Sequence, residues 1–418
     1  YRGDMKRELL RAGYPVVDLA GYHAGEALPI TLNSDSEQQL LRDYQQTAVD
    51  RFYMDGSATG GSGVVVLPCG AGKTIVGIAL ICKLRCATLI LTSNATSVKQ
   101  WRRELLDKTN VDESMIGEYN GETKQVQPIT IATYQIMTYR KSKEHTPLHI
   151  DLFHSRDWGF IIYDEVHLLP APVFRMTAQI QATRRLGLTA TLVREDGREE
   201  DVFSLIGPKR YELRWKNLET SGWIADAQCI ELQIPFSSAE KQRYMAAAKN
   251  QKHRIAGENP EKLHAVKQLI DRHPNSRIMV IGQYLEQLKR VSLLLQAPLI
   301  TGSTPQRVRE QLYADFKSGQ LSLLIVSKVA NFAVDLPEVS VAIQISGSFG
   351  SRQEEAQRLG RILRPKSGQN SATFYSVITA DSCETEFARH RQLFLIEQGY
   401  EYREERYADG MNDSAPEQ

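Results

Sequence analysis

The sequence has almost no surplus charge of either sign: 51 Lys and Arg face 50 Asp and Glu, for a formal net charge of +1. That balance excludes a chain that binds polyanions through its bulk charge, so any basic site must be local. Cysteine is scarce as well. Cys69, Cys82, Cys86, Cys229 and Cys383 are odd in number, lack CxxC spacing and have no clustered histidines, which fits a reducing compartment better than a disulfide framework. Cys82 and Cys86 would share one face of a helix, but two thiols do not close a zinc or iron–sulfur site, and buried structural thiols are the better reading. No apolar run approaches the ~20 residues of a membrane span. The longest is TIVGIALIC, Thr74 to Cys82. Low-complexity sequence is confined to the polar tail at 406–418, which is expected to fray. The chain opens on a charged YRGDMKRELLRAG without an initiator Met, so residues upstream are expected to be missing.

What is present suffices for two or three domains, since 418 residues that are 42% hydrophobic can build real cores. Short β-rich runs recur, each followed by a helix-like stretch: GVVVL at 63–67, ATLILT at 87–92, PITIATY at 128–134, GFIIYD at 159–164 and RRLGLT at 184–189. The same grammar resumes with RIMVIG at 277–282, LSLLIVS at 321–327, VSVAIQIS at 339–346 and ATFYSVIT at 372–379. This alternation predicts two α/β domains with parallel sheets, at 41–225 and 226–405, after a short N-terminal region at 1–40. Between the two series, Ser237 stands three residues before Glu240, a capping-box signature for a helix over 237–260. That helix offers few large apolar residues, Tyr244 and Met245 among them, and carries Lys241, Arg243, Lys249, Lys252 and Arg254, so it should bury little and project. It reads either as a solvated connector or as a face for nucleic acid.

VVVLPCGAGKT, 64–74, sets a glycine-rich turn between a β-branched strand and the helix-like TIVGIALICKL. Phosphates ask for that order. Gly70 and Gly72 let backbone N–H groups approach an anion, the helix N-terminus attracts negative charge, Lys73 reaches the β/γ-phosphates and Thr74 can ligate Mg2+. The general GxxxxGK[ST] pattern asks for glycine where Leu67 stands, so the match is to the variant PxxGxGKT. FIIYDEVH, 160–167, ends an apolar run in two acids, at the strand end where parallel sheets bind ligands. Asp164 is assigned to the metal and Glu165 to the attacking water. Capping of a following helix is the alternative, weakened by the phosphate loop upstream. LRDYQQTAVDRF, 41–52, begins an amphipathic helix with Arg42 and Gln45. In QEEAQRLGRILRPK, 353–366, Gln357, Arg358, Arg361 and Arg364 recur at helical spacing before Pro365. They are either surface cations favoured by the helix dipole or groups that reach a γ-phosphate from the second domain.

In this order LPCGAGKT, DEVH, TAT at 189–191 and QRLGRILR resemble a superfamily-2 helicase or translocase. The longer stretches DEVHLLPAPVFRMTAQIQATRRLGLTATLVREDGREEDVFSLIGPKRYE and VSKVANFAVDLPEVSVAIQISGSFGSRQEEAQRLGRILRPK resemble the XPB helicases of nucleotide-excision repair, in particular their bacterial members. The resemblance implies two tandem RecA-like domains with ATP in the cleft between them, DNA across their top, and the 237–260 helix in the place of a thumb insertion, here short. It implies that Arg42 and Gln45 recognise adenine, that Lys73 and Thr74 hold phosphates and Mg2+, and that Asp164 and Glu165 hold the metal and the water. Asp335 would approach the ribose, and Gln357, Arg361 and Arg364 would complete the site from the second domain. His167, Thr189 and Thr191 would couple hydrolysis to motion, and Arg194, Glu195 and Asp196 align with the family's RED element, implicated in strand separation.

The expectation is therefore a DNA-stimulated ATPase, dependent on ATP and Mg2+, that unwinds DNA 3′ to 5′. Single-stranded, forked or duplex DNA is the expected partner, with a nuclease or other repair protein beside it, no membrane, a monomeric state, and a bacterial cytoplasm with the nucleoid as its place. Phosphate contacts are expected from strand-end loops such as TSNATSVKQW (92–101), TYQ (133–135), TGST (301–304) and SK (327–328). A duplex translocase that remodels complexes without separating strands, an ATP-gated DNA-binding module and an RNA helicase stay open. The damage-recognition region of longer members is expected to be lacking or reduced to its end within 1–40, and the four-cysteine cluster of iron–sulfur repair helicases is not seen in the sequence. The mixed-charge burst REDGREED, 194–201, is either a solvated loop or a part that meets the DNA fork.

Overall fold

Strands that are apolar on both faces need cover on both faces, and the computed structural model supplies it. It describes residues 24–33, 41–57, 59–68, 70–139, 149–169, 182, 184–190, 199–223, 225–327, 339–347 and 371–407, with isolated positions 5, 8, 9, 12 and 14. The chain divides into two units, Tyr1–Leu213 and Arg214–Gln418.

The first unit carries α1 (Asp43–Tyr53), β1 (Ser62–Val66), α2 (Lys73–Leu84), β2 (Thr88–Thr92) and α3 (Ala95–Lys108). It continues with β3 (Ile116–Tyr119), β4 (Ile129–Thr133), α4 (Tyr134–Thr138), β5 (Phe160–Asp164), β6 (Arg184–Thr189), α5 (Glu199–Ile206) and β7 (Lys209–Glu212). The strands form one parallel sheet in the order β3-β4-β2-β5-β6-β1-β7. On one face Val64, Leu89, Ile161 and Tyr163 pack with Met137, Trp158 and Leu205. Residues 24–33 lie against this unit through antiparallel bridges from Ala27 to Cys86 and Leu32 to Thr109, with Leu28 and Ile30 buried. The strand register aligns the functional ends. Thr92 pairs with Thr133, Leu91 with Tyr163, and Asp164 with Leu188, so the carboxyl ends of β4, β2, β5 and β6 share one sheet edge.

The second unit repeats the plan with α6 (Trp215–Thr220), β8 (Asp226–Ile234), α7 (Ser238–Ala246), α8 (Lys249–Gly257), α9 (Glu261–Asp271), β9 (Ile278–Gly282) and α10 (Leu285–Leu295). After these come β10 (Leu299–Ile300), α11 (Gln306–Ser318), β11 (Leu323–Ser327), β12 (Val341–Gln344), β13 (Ser371–Thr379), α12 (Cys383–Glu397) and β14 (Tyr402–Arg406). Its parallel sheet runs β10-β11-β9-β12-β13-β8-β14, over a core that includes Ile234, Leu269, Val280, Leu288 and Ile343. All nine strand runs read from the sequence are strands here.

The stretch 237–260 differs from the single projecting helix expected. It is two helices, α7 and α8, broken where Ala247 and Ala248 turn extended, with ψ near 149° and 152°. The expected cap is present, since Ser237 Oγ accepts the Glu240 N–H at 3.3 Å. The second helix is docked rather than projecting: His253, Ile255, Ala256 and Gly257 are buried. Ile255 and Ala256 pack with Tyr244 and Phe236, and the remaining anchorage is polar, which an apolar pattern does not show. His253 Nδ1 lies 2.8 Å from the Tyr284 hydroxyl, Thr379 Oγ1 donates to the Ala256 carbonyl at 2.7 Å, and Gln287 Nε2 donates to that of Gly257 at 2.6 Å.

Candidate active site

Two glycines shape the loop after β1. Gly70 and Gly72 both sit at positive φ, 78° and 79°, where a side chain would be strained. A Cβ on Gly72 would also run into the Gln45 amide. The turn delivers the chain into α2 with Lys73 as its first residue and Thr74, half-buried, as its second. Leu67, which stands where the general pattern has glycine, is fully buried and its N–H donates to the Thr189 carbonyl at 3.0 Å. The strand pairing thus continues one residue past β1, and the loop begins only at Pro68. Gln45 braces the turn from α1: its Nε2 donates to the Ala71 carbonyl at 2.8 Å and its Oε1 accepts the Arg42 N–H at 2.9 Å. Tyr44 joins in, donating to the same carbonyl at 3.0 Å and accepting from Arg42 Nη1 at 3.0 Å.

The acids stand two strands away in the sheet, at the end of β5. Lys73 Nζ lies 3.5 Å from Glu165 Oε1, and His167 Nδ1 lies 3.5 Å from Glu165 Oε2 and 2.7 Å from Thr189 Oγ1. Burial pushes the Asp164 carboxyl up to about 6, the Glu165 charge adds to the rise, and the Trp101 N–H and the Lys73 ammonium oppose it. For Glu165 burial also acts upward, but Lys73 and His167 outweigh it and hold the carboxyl below its ordinary value. The two neighbours are thereby driven apart, one easily protonated and one firmly ionised. Glu165 is itself in the left-handed region, φ 50° and ψ 54°, a costly conformation for a residue with a side chain.

Of the residues singled out in the sequence, Gly70, Gly72, Lys73, Thr74, Asp164, Glu165, His167 and Thr189 gather at this edge of the first unit, with Arg42 and Gln45 behind the loop. Thr191, Arg194, Glu195, Asp196, Asp335, Gln357, Arg361 and Arg364 lie outside the described residues. Three residues escaped the sequence reading: Tyr44, which braces the loop, and Trp101 and Tyr134, which bond Asp164. Trp101 Nε1 donates to Asp164 Oδ2 at 2.9 Å, and the Tyr134 hydroxyl donates to the Asp164 main-chain carbonyl at 2.9 Å. Both sit within the strand-end segments 92–101 and 133–135, but nothing in their spacing points to the acid.

The donor set suits a nucleoside triphosphate with Mg2+. The loop presents glycine-lined backbone and an ammonium, and Glu165, half-buried beside Lys73 and His167, supplies an ionised carboxylate. Among the described residues no three His, Cys, Asp or Glu side chains cluster. Mg2+ does not need such a cluster, because it binds through one or two carboxylates together with substrate phosphates and water.

A phosphate loop of this kind in the first of two parallel α/β units places the chain in a class, the tandem RecA-like helicase motors. Residues 218–417 match the family described as ERCC3/RAD25/XPB C-terminal helicase, and residues 38–194 that described as type III restriction enzyme, res subunit. The DNA 3′-5′ helicase XPB of Mycobacterium tuberculosis is 55% identical over 96% of this chain and 71% of its own length. The general transcription and DNA repair factor IIH helicase/translocase subunit XPB/SSL2 of Saccharomyces cerevisiae is 35% identical, over 98% of this chain and 50% of its own length. The Pyrococcus furiosus Hef helicase domain shares the fold, with a TM-score of 0.57 at 15% identity over 86% of this chain and 99% of that domain. The chain belongs to the XPB helicase family.

Proposed function

We propose that this chain is an ATP-dependent DNA helicase that moves 3′ to 5′ and serves DNA repair in a bacterial cytoplasm. The observation that carries the proposal is the corner where Lys73 Nζ meets Glu165 Oε1 at 3.5 Å, between a phosphate loop and a strand-end acid pair. Lys73, drawn from its ion pair with Glu165, joins the N-terminus of α2 in neutralising the β/γ-phosphates. Glu165, held ionised, accepts a hydrogen bond from the attacking water and orients it toward the γ-phosphorus. Thr74 and Asp164 would hold Mg2+, which when bound neutralises charge on the β- and γ-oxygens. Arg42 lies beside the loop and is assigned to the adenine; Gln45, whose amide is engaged at both ends, reaches a base only by giving up one of those bonds. His167 and Thr189 sense whether Glu165 is engaged by substrate and pass that to the end of β6. Asp335, Gln357, Arg361 and Arg364 are assigned, from sequence, to the ribose and to completing the site. A nuclease or other repair protein as partner, the monomeric state and association with the nucleoid belong to the same proposal.

The test compares ATP turnover with single-stranded DNA, duplex DNA and RNA, alongside unwinding of forked duplexes and displacement of a triplex strand. Stimulation by DNA together with forked-duplex unwinding is expected. Triplex displacement without unwinding would move the chain to the duplex translocases, and slow turnover that no polynucleotide stimulates would make it an ATP-gated binding module. Lys73→Ala should abolish turnover while circular dichroism shows the fold intact; wild-type turnover in that variant would overturn the site.

A further inference from the structure

Trp101 is almost wholly buried in α3, and its placement is controlled from two sides. The six-membered edge of the indole lies against Gly77 of α2, where a Cβ would come within 2.5 Å of the ring. Its N–H is aimed at Asp164 Oδ2, 2.9 Å away. A buried indole has to find an acceptor for its N–H, and an ordinary core tryptophan finds a carbonyl, as Trp158 does with Leu152 at 3.0 Å. Trp101 instead finds the carboxylate of the hydrolytic corner. With Oδ2 tied to the indole and the Glu165 N–H also bonded to the carboxylate, rotation about the Cβ–Cγ bond is restrained.

A second aromatic grips the same residue by its backbone, since the Tyr134 hydroxyl donates to the Asp164 carbonyl. Trp101 and Tyr134 come from the elements that follow β2 and β4, whose last residues, Thr92 and Thr133, are register partners, with β2 standing between β4 and β5. Each element starts in a polar, hydroxyl-rich turn at the sheet edge. Asn94 Oδ1 caps α3 by accepting the Ser97 N–H at 2.9 Å, and Thr133 Oγ1 caps α4 by accepting the Ile136 N–H at 3.3 Å. Those turns are the segments read as phosphate contacts.

We propose that Trp101 is a positioning residue for Asp164, and that with Tyr134 it ties the polynucleotide-facing turns at 92–97 and 133–135 to the hydrolytic corner. The proposal rests on the ATPase reading above. A phosphate held at the start of α3 displaces that helix, and less than two turns further on the same helix carries the N–H that sets the carboxylate. Groups that orient a metal-binding carboxylate act at a distance from the substrate, and their loss costs roughly 10- to 100-fold in activity or metal affinity.

The experiment uses the full chain with 5-fluorotryptophan at its four tryptophans. Trp101→Phe keeps an aromatic ring against Gly77 and removes the N–H; Gly77→Ala displaces the ring and keeps the N–H. Both are expected to lower duplex-DNA-stimulated kcat by about 10-fold or more while the KM for ATP moves less than about 3-fold. The fluorine resonance that Trp101→Phe removes is expected to shift on adding duplex DNA without nucleotide, and again in Asp164→Asn. Wild-type kcat in Trp101→Phe, or a resonance that neither DNA nor Asp164→Asn moves, overturns the proposal. Should Trp101→Phe fold poorly, the second readout decides alone, with the resonance assigned by elimination from Trp158→Phe, Trp215→Phe and Trp223→Phe. Failure of the underlying ATPase reading looks different, because Lys73→Ala would then hydrolyse ATP at the wild-type rate.

Discussion

Glu165 combines a strained backbone with a depressed pKa, and neither serves packing. Its neighbour Asp164 ends β5 with ordinary strand pairing, so the chain turns into the left-handed region at the residue whose carboxylate must leave the sheet and meet Lys73. Glu165→Gln preserves shape and hydrogen-bonding reach but not the charge. ATP turnover in that variant should fall by about 10²- to 10⁴-fold with nucleotide affinity largely kept, measured by single-turnover hydrolysis and equilibrium binding. The second unit holds another titratable and buried residue, one to which no chemistry is assigned. His253 lies against the Tyr284 hydroxyl, and burial holds its pKa below the ordinary 6.5; nearby Glu384 acts upward, Arg391 and Lys262 downward. A depressed histidine contributes stability that is complete above the unfolded pKa and lost as pH falls through the lower folded one. Thermal unfolding should therefore show a lower midpoint at pH 5 than at pH 7.5, and His253→Gln should shrink that difference. His273, also depressed by burial, leaves a residual dependence.

The elements that sequence reveals are those whose environment is uniform along their length. β2, β4 and β9 are buried at every residue, so they stand out as unbroken apolar runs. The strands the sequence hides are mostly edges. β3, β7, β10 and β14 terminate their sheets, and β14, with the sequence YREER, is exposed or half-exposed along its whole length. An edge strand needs apolar cover on one side only and carries charge as protection, so its composition matches that of a loop. β8 is hidden for another reason: it lies inside the sheet but keeps Asp226, Gln228, Glu231 and Gln233 among its apolar residues, and Gln392 Nε2 bonds the buried Glu231. The same unit buries an ion pair that no local pattern announces. Lys262 of α9, with no solvent exposure, donates to Glu384 Oε2 at 2.7 Å and to the carbonyls of Ile345 and Val377 at 3.0 and 3.2 Å. These bonds tie α9 to the ends of β12 and β13 and to the start of α12. Lys262→Met leaves the Glu384 carboxylate buried without its cation and should cost about 3 to 5 kcal/mol in urea unfolding. Adding Glu384→Met should recover much of that loss; a double variant as unstable as the single would show that packing, not charge, sets the cost.

On the proposed reading of the acid pair, hydrolysis becomes work on DNA only if a change there leaves the first unit's interior, and β6 is the route the bonding favours. Its last residue, Thr189, holds His167 by its hydroxyl and Leu67 by its carbonyl, so the strand end touches both the acid corner and the root of the phosphate loop. The chain is anchored again at α5, where Val202, Leu205 and Ile206 enter the core. Arg194, Glu195 and Asp196 fall between these anchors in the sequence. Their place is legible only through family resemblance. A mixed-charge run carries no signature of its own, because what it does depends on the partner that meets it. The same holds for Asp335, Gln357, Arg361 and Arg364, whereas the phosphate loop and acid pair can be read directly, since strand, glycine turn and helix must follow one another for the chemistry to exist. If the 194–196 segment acts on the fork, Arg194→Ala should leave DNA-stimulated ATP turnover within about 3-fold of wild type while unwinding of a forked duplex falls by about 10-fold or more. Equal loss of both activities would place Arg194 in the hydrolytic machinery instead. Full unwinding would return the segment to a solvated loop, and the step that separates strands would then have to be sought in the second unit, where α7 and α8 present exposed Lys241, Arg243 and Lys249 on a base docked to the sheet.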